Sequence, residues 1–172
     1  LDDYRDWLLR REPAPRPDEL LLRVEAVSLN RGEVRGAARA AEGAVPGWDV
    51  AGTVIAPAQF GASPAAGTRI VALLDSGGWA ERVAVPVSRA AVIPEGVTTE
   101  AAATLPIAGL TVARALELAE PLQAKRLLIT GGSGGVGQLA IQLAALGGAE
   151  VTAVSSRPAQ HAELQRLGAG AV

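Results

Sequence analysis

Residues 126–138, RLLITGGSGGVGQ, contain a glycine cluster between an apolar run and an amphipathic segment. Gly132, Gly134 and Gly137 have the spacing GxGxxG, with a predicted strand before them and a predicted helix after them. In such a loop the first glycine permits a tight turn, the second lets a pyrophosphate approach the backbone, and the third lets the helix pack closely on the strand. The N–H groups of the helix N-terminus then bind phosphate. The pattern predicts a dinucleotide-binding loop, and an ordinary glycine-rich turn is the alternative.

Hydroxyl and guanidinium side chains indicate which dinucleotide this loop binds. An NAD site has Asp or Glu at the end of the second strand, where it holds the ribose 2′-OH. Here that position carries Ser155, Ser156 and Arg157 instead, which suit a 2′-phosphate. We therefore predict NADP(H), with a solvated loop residue as the alternative for Arg157. Ser133, inside the glycine loop, either donates to phosphate or fills the loop.

The composition excludes several other classes of site. The chain has no cysteine and one histidine, His161, so thiolate zinc sites and histidine metal clusters are not expected. Its 16 Lys and Arg are scattered and the net charge is −2, which argues against nucleic acid or an anionic membrane as partner. No apolar run reaches the roughly 18 residues of a membrane span. We expect a soluble, cytoplasmic protein, trimmed at its start because Leu1 is not methionine.

The elements that must position these residues fall into two groups. Before residue 98, short strands alternate with Pro/Gly turns; they are predicted at Glu19–Val27, Val50–Ile55, Arg69–Leu74 and Trp79–Val85. From Thr98 to Ala119 the pattern is helical, with a break at Pro106 and a second helix from about Gly109. A β-α-β-α-β series follows, at Leu127–Thr130, Gly135–Leu146, Val151–Val154, Pro158–Leu167 and Ala171–Val172.

The predicted fold is α/β, with a β-rich domain at residues 1–97 and connecting helices plus a parallel-sheet domain at residues 98–172. A doubly wound dinucleotide fold has two βαβαβ halves, and only the first is visible here. We therefore expect this chain to carry part of the nucleotide-binding domain and, by itself, to be inactive or weakly active.

Seven motifs in order resemble one known family. They are VEAVSLN (24–30), VPGWDVAGTV (45–54), GTRIV (67–71), GWAERVAV (78–85), IPEGV (93–97), AAATLPIAGLT (101–111) and GGSGGVG (131–137). Together they resemble the zinc-free quinone oxidoreductase (zeta-crystallin-like) family of the medium-chain dehydrogenase/reductase superfamily. The resemblance implies a GroES-like β-domain followed by a Rossmann domain, with the cofactor in the cleft between them. Residues 1–12 match weakly, so the family's first strand is expected to be missing or altered.

The resemblance also implies roles for individual residues. Asn30 matches the family's LN motif, whose Asn lies near the nicotinamide, and Thr111 matches a residue at the same end of the cofactor. Gly134, Gly135 and Val136 match the pyrophosphate loop. Zinc-dependent relatives carry Cys, His and Cys where this chain has Asn30, Trp48 and Ile107, a set that does not form a catalytic zinc site. The family's Asp and Tyr after the LN motif are replaced by Glu33 and Arg35, which leaves the acceptor open.

The predicted function is zinc-independent hydride transfer from NADPH to a quinone or an α,β-unsaturated carbonyl. Asn30 is the side chain predicted to donate to the developing oxyanion. Trp48 and Trp79 are predicted to line a flat apolar cleft, with core packing as the alternative. Two other functions stay open: a non-catalytic NADP(H)-binding relative, and an enoyl-reductase module of a larger synthase. A homodimer is one possible assembly of the complete protein.

Overall fold

The computed structural model describes residues 13–172, which form two compact units that divide between Pro106 and Ile107. The first unit is built on an antiparallel sheet of five strands in the order β4-β1-β2-β3-β5. The strands are β1 (Glu19–Ser28), β2 (Asp49–Ala56), β3 (Arg69–Leu73), β4 (Arg82–Pro86) and β5 (Ala90–Val92). The weak family match of residues 1–12, and the missing strand inferred from it, lie outside the described residues.

Strand β1 organises this sheet because it pairs on both sides. Its N-terminal half opposes β4, from Glu19 with Pro86 to Arg23 with Arg82, and nearly its whole length runs beside β2. Alternating apolar side chains of the strands point to one face and form the main core of the unit, since successive residues of a strand face opposite sides. That core contains Leu20, Leu22, Val50, Val54, Ile70, Ala72, Leu74, Val83 and Val85.

Two short helices accompany the sheet. Helix α1 (Arg31–Ala37) follows β1 directly, and α2 (Thr99–Ala103) begins at Thr98, whose hydroxyl accepts from the Ala101 N–H at 3.1 Å. A second core cluster joins α2 to the sheet and contains Ala51, Ile93, Ala102 and Ala103. Helix α2, which the sequence places after the predicted boundary at residue 97, therefore packs within the first unit.

The second unit contains the start of a parallel α/β arrangement. Helix α3 (Pro106–Glu117) leads into β6 (Arg126–Thr130), α4 (Gly135–Leu146), β7 (Glu150–Val154) and α5 (His161–Arg166). Strands β6 and β7 pair in parallel, from Arg126 with Glu150 to Thr130 with Val154. Helices α4 and α5 pack on this pair, over a core of Ile141, Ala144, Val151, Ala153, Leu164 and Ala169. The α/β prediction, with a GroES-like sheet followed by a parallel sheet, is confirmed.

Several element boundaries differ from the predicted ones. The second connecting helix begins at Pro106 rather than near Gly109, because proline fits the first turn of a helix, where its missing N–H has no partner to lose. Residues 158–160 form a 3₁₀ turn before α5, and the third parallel strand is a single bridge between Thr152 and Ala171. Within the described part of the chain, no helix has the length and apolarity needed to cross a membrane.

Candidate functional site

The glycine loop between β6 and α4 begins with a left-handed turn. Gly131 has φ +65°, a conformation that residues with a Cβ rarely adopt. The Gly134 N–H donates to the Gly131 carbonyl at 2.9 Å, and the Gly132 N–H donates to Val154 O at 2.9 Å. The sequence predicted the tight turn at Gly132, but the turn is made at Gly131. The Gly132 N–H instead links the loop to the end of β7 by its hydrogen bond to Val154 O.

Close packing explains two other glycines of the loop. A Cβ at Gly137 would collide with the carbonyl oxygen of Gly131, so α4 approaches the loop backbone as predicted. A Cβ at Gly132 would stand 3.2 Å from that of Ala153, which is tighter than ordinary contact. Gly135 is different, because nothing lies within 4 Å of the position of its Cβ. The backbone at Gly135 is thus open to a ligand.

Donors at the start of α4 are available at this open point. The first i→i−4 hydrogen bond of the helix runs from Gln138 N to Gly134 O at 2.9 Å. The N–H groups of Gly135, Val136 and Gly137 precede it, so the helix itself offers them no partner. The Ser133 carbonyl accepts from Gln138 Nε2 at 3.2 Å, which steadies the loop. An α-helix N-terminus of this kind suits a phosphate group.

The residues after β7 form the second part of this site. Ser155 Oγ accepts from the Arg157 main-chain N–H at 3.2 Å, and Ser156 and Arg157 are exposed. No contact within the described residues engages the Arg157 guanidinium. His161 Nε2 lies 3.3 Å from Ser155 O, which makes Nε2 the donor because a carbonyl only accepts. Because Gly132 bonds to Val154, the glycine loop and these residues meet at one edge of the sheet.

In the first unit, the structure brings Asn30 together with two buried carboxylates. Asn30 Nδ2 donates to Glu33 Oε2 and to Asp49 Oδ2, each at 2.8 Å. Glu33 is 3% exposed and Asp49 is 1% exposed. Glu33 Oε2 also accepts from the Asn30 main-chain N–H at 3.1 Å. Both N–H bonds of the amide are thus engaged by the protein, a geometry that does not favour the predicted role of Asn30 as an oxyanion donor.

The two tryptophans occupy different surroundings. The Trp48 main-chain N–H donates to Glu33 Oε1 at 3.3 Å, and its ring packs so closely on Gly32 that a Cβ there would stand 2.8 Å from Cη2. Trp79 lines an open groove of about 440 Å³ beside residues 24–27 of β1. Its Nε1 is buried without a hydrogen-bond partner among residues 13–172. Trp48 therefore belongs to the Asn30 cluster, and Trp79 to a separate apolar groove.

The other predicted residues lie as follows. Thr111 is exposed on α3 and its hydroxyl donates to Ile107 O at 2.6 Å, which leaves the oxygen as an acceptor. No group of three His, Asp or Glu side chains that could hold a metal ion occurs in the described ranges. The sequence reasoning missed the bridging role of Glu33. The available signal was the spacing Asn30-x-x-Glu33, which is typical of a capping box at a helix start.

Comparisons with known proteins show which proteins are similar to this chain. The alcohol dehydrogenase GroES-like domain family matches residues 16–95. The chain is 36% identical over 157 residues to a chloroplastic quinone-oxidoreductase homolog of Spinacia oleracea, covering 82% of this chain and 48% of the relative. The quinone oxidoreductase of Thermus thermophilus, solved also in complex with NADPH, matches with a TM-score of 0.80 and 36% identity, over 94% of this chain and 52% of that one. These similarities support placing the chain among the quinone oxidoreductase-like proteins of the medium-chain dehydrogenase/reductase superfamily.

A further solved structure that resembles this chain is the CurK enoyl reductase. It matches with a TM-score of 0.84 and 29% identity, covering 94% of this chain and 52% of that one. The chain spans about half the length of the curated quinone-oxidoreductase relatives that it matches, 48% in the spinach case.

Proposed function

We propose that the complete protein is an NADPH-dependent oxidoreductase that transfers a hydride to a quinone or an α,β-unsaturated carbonyl without zinc. The observation that carries this proposal is the glycine loop of the second unit. It joins a left-handed turn at Gly131, the open backbone at Gly135 and the first N–H groups of α4. These features fit the pyrophosphate of a dinucleotide, and the Thermus thermophilus relative was solved with NADPH.

Each part of this edge of the sheet would hold a different part of the cofactor. The main-chain N–H groups of Gly135 and Val136 would bind the pyrophosphate. The hydroxyls of Ser155 and Ser156 and the Arg157 guanidinium, which has no partner among residues 13–172, would bind the 2′-phosphate. Arg matches phosphate geometry, and residues 154–157 contain no acidic side chain. When bound, the nicotinamide supplies the hydride, and the protein's part is to bind, orient and exclude water.

Zinc independence rests on the side chains that stand where the zinc-dependent relatives have ligands. Asn30, Trp48 and Ile107 carry an amide, an indole and an alkyl group. These side chains do not match the Cys, His and carboxylate ligands that zinc prefers. The carboxylates of Glu33 and Asp49 each accept a hydrogen bond from Asn30 Nδ2. We therefore propose a reaction in which binding and orientation, rather than a Lewis acid, lower the barrier.

The activity is tested by mixing the complete protein with NADPH and two acceptor series, quinones and enones, and following the loss of NADPH absorbance. We expect turnover on the order of 10 s⁻¹ for at least one series. Activity should persist after dialysis against a chelator, with no stoichiometric zinc by elemental analysis. Failure of both series, with NADPH still bound, would favour a non-catalytic NADP(H)-binding protein.

A second candidate is the enoyl-reductase module of a larger synthase, favoured by the match to the CurK enoyl reductase. Both candidates use the same cofactor loop, so only the acceptor separates them. An enoyl thioester reduced faster than any free quinone would support the module. A quinone reduced at the same rate with or without a carrier-linked competitor would support the free oxidoreductase.

A further inference from the structure

The arginines of the first unit divide into those with a partner and those without one. Arg16, Arg23 and Arg89 each bind a carboxylate, at 2.8, 3.0 and 2.7 Å respectively. Three guanidinium groups have no hydrogen bond or ion pair among residues 13–172, and they belong to Arg31, Arg35 and Arg39. All three side chains are exposed and lie within nine residues, in helix α1 and directly after it. Helix α1 thus carries a concentration of unpaired positive charge in a chain whose net charge is −2.

The helical geometry places these three arginines in one row, which we call the basic row. Residues four positions apart lie one turn apart on the same side of a helix. The Arg39 N–H donates to Gly36 O at 2.9 Å, so the helical turn continues past the end of α1 and includes Arg39. At 1.5 Å per residue the row is about 12 Å long. Buried Glu33 lies on the inward side of α1, and the basic row therefore faces solvent.

The basic row lowers the stability of the helix that carries it. Like charges four residues apart repel each other, and a cation in the first turn, such as Arg31, opposes the positive end of the helix dipole. Only Arg35, in the last turn, is favourably placed for that dipole. The acidic residues nearby do not compensate, since the Glu33 carboxylate accepts from Asn30 and the Glu42 side chain has no ion pair among residues 13–172. Charges that disfavour their own element without an internal partner are typical of functional surfaces.

Two exposed apolar side chains accompany the basic row. Leu29, directly before α1, is 67% exposed, and Val34, three positions after Arg31 and therefore its neighbour on the helix surface, is 47% exposed. Protein interfaces combine arginine with apolar contact area, whereas a phosphate backbone offers none. A row about 12 Å long also exceeds the span of one carboxylate or phosphate. It matches carboxylates at the same four-residue spacing on a helix that lies alongside α1.

We propose that the basic row, together with Leu29 and Val34, is a binding surface for an acidic amphipathic helix of another protein. Each guanidinium would bind a carboxylate of that helix through two parallel N–H donors, and the two apolar side chains would pack against its apolar residues. Binding would remove the repulsion within the row, because the partner supplies the opposite charge. The inference stands apart from the proposed function, since α1 belongs to the first unit and the glycine loop to the second.

A pair of synthetic peptides tests the charge complementarity. The first is an alanine-based helical peptide with three glutamates four positions apart and two leucines beside them, and the second has glutamine in place of each glutamate. Titrated into the ¹⁵N-labelled 172-residue chain, the glutamate peptide should shift the amide resonances of residues 29–39. The glutamine peptide should bind roughly 3- to 150-fold more weakly, since each exposed ion pair contributes a factor of about 1.4 to 5. Equal binding of the two peptides, or shifts confined to other residues, would overturn the proposal.

Substitutions in the basic row test its residues. The triple variant Arg31→Gln, Arg35→Gln, Arg39→Gln should lose the preference for the glutamate peptide, and Arg35→Gln alone should lose part of it. Arg126→Gln is the matched control, because Arg126 is also exposed and its guanidinium has no partner among residues 13–172, but it lies on β6. Thermal melts should show the triple variant to be as stable as the wild type or more so, since the repulsion within the row is removed. A destabilised triple variant, or an equal loss of peptide binding in Arg126→Gln, would contradict the binding role.

A nucleic-acid probe separates a protein partner from an RNA partner. Polyuridylate, added at the same concentration of negative charge as the glutamate peptide, should shift the resonances of residues 29–39 less, because it has no aliphatic side chains to pack on Leu29 and Val34. Added salt should weaken the binding of the glutamate peptide, since the ion pairs would be exposed. A larger shift with polyuridylate, or peptide binding that salt does not change, would overturn the assignment to an acidic helix.

Discussion

At the scale of single residues, the glycines of residues 131–137 have different physical reasons to be there. Gly131 supplies a left-handed turn, Gly137 allows the helix to reach the loop backbone, and Gly135 leaves open space. The sequence spacing predicted the loop and the close packing at Gly137. It did not distinguish which glycine makes the turn, because GxGxxG spacing carries no information on backbone dihedral angles.

This difference gives a matched pair of variants. Gly137→Ala forces its Cβ into the Gly131 carbonyl, and we expect a loss of unfolding free energy of about 1–3 kcal/mol, as for other overpacked sites. Gly135→Ala meets nothing within 4 Å and replaces a poor helix former, so its stability should stay the same or rise by up to about 1 kcal/mol. Urea denaturation of both variants measures this. If both variants lost the same unfolding free energy, the close packing at Gly137 would not be the reason that position 137 requires glycine.

The polar residues around Asn30 show what the sequence could not predict. Asn30 and Trp48 were selected by motif, but the network between them depends on Asp49, which is nineteen positions from Asn30. Such a contact exists only after β1 and β2 have paired, with Ser28 opposite Asp49. A pattern of residue types along one chain does not specify this register.

At the scale of elements, the strands were easier to predict than the short helices. Runs rich in Val, Leu and Ile with turn residues between them located β1, β2 and β3 to within two residues. Helix α1 was missed because it has no apolar stripe; its only buried residue is Glu33. Strand β5 was missed because three residues carry too little pattern. Residues 79–81 were predicted as strand but lie outside β4, where they line the groove.

One cross-strand contact between β1 and β2 predicts a dependence of stability on pH. The Thr53 hydroxyl donates to Glu25 Oε1 at 2.8 Å, and the Arg23 guanidinium donates to the same oxygen at 3.0 Å. These two hydrogen bonds, the one from Thr53 more than the one from Arg23, hold the pKa of the Glu25 carboxyl below its ordinary value. Because the pKa is lower in the folded state than in the unfolded state, the ionised carboxyl stabilises the fold at pH values above the ordinary glutamate pKa. That stabilisation is lost as the pH falls through the folded-state pKa.

The Glu25→Gln variant should remove that contribution. Its unfolding free energy should therefore fall less steeply with acid than that of the wild type, in the range just below the ordinary glutamate pKa. The effect should be small, because the pair is partly exposed and screened by solvent. Thermal melts across this pH range measure it, with Glu95→Gln as the control, because Glu95 is exposed and its side chain has no hydrogen bond or ion pair among residues 13–172. A steeper acid loss in Glu25→Gln would contradict the assigned sign.

At the scale of the whole molecule, the two units differ in how completely their sheets are covered. In the first unit, β1 pairs on both sides, and the side chains of the main core are buried. In the second, β6 pairs with β7 alone among the described strands, and Leu128 on β6 is 67% exposed. Parallel strands usually have both faces covered.

We therefore expect unequal protection of backbone amides in this 172-residue chain. Hydrogen exchange followed by mass spectrometry should show slow exchange in β1 and β2 and faster exchange in β6 and β7. A two-stranded sheet with an exposed face opens locally at a lower free-energy cost than a covered five-stranded sheet. Equal protection in the two sheets would show that the exposed face is covered in solution by a partner or a second copy.

The central claim is that the second unit recognises NADPH through its 2′-phosphate. Arg157→Ala should weaken NADPH binding by roughly 10- to 150-fold, since a hydrogen bond to a charged group contributes about 1.5–3 kcal/mol. NADH affinity should barely change because NADH lacks that phosphate. Arg126→Ala is the control, since Arg126 begins β6 at the other end of the strand, about 13 Å from Thr130.

Titration of both cofactors against the complete wild-type protein and these two variants is the most direct test. We expect the wild type to prefer NADPH, Arg157→Ala to lose this preference, and Arg126→Ala to keep it. Higher salt should reduce the difference between wild type and Arg157→Ala, since the Arg157 guanidinium is exposed. A wild type that prefers NADH, or an Arg157→Ala variant that loses both cofactors equally, would contradict the account.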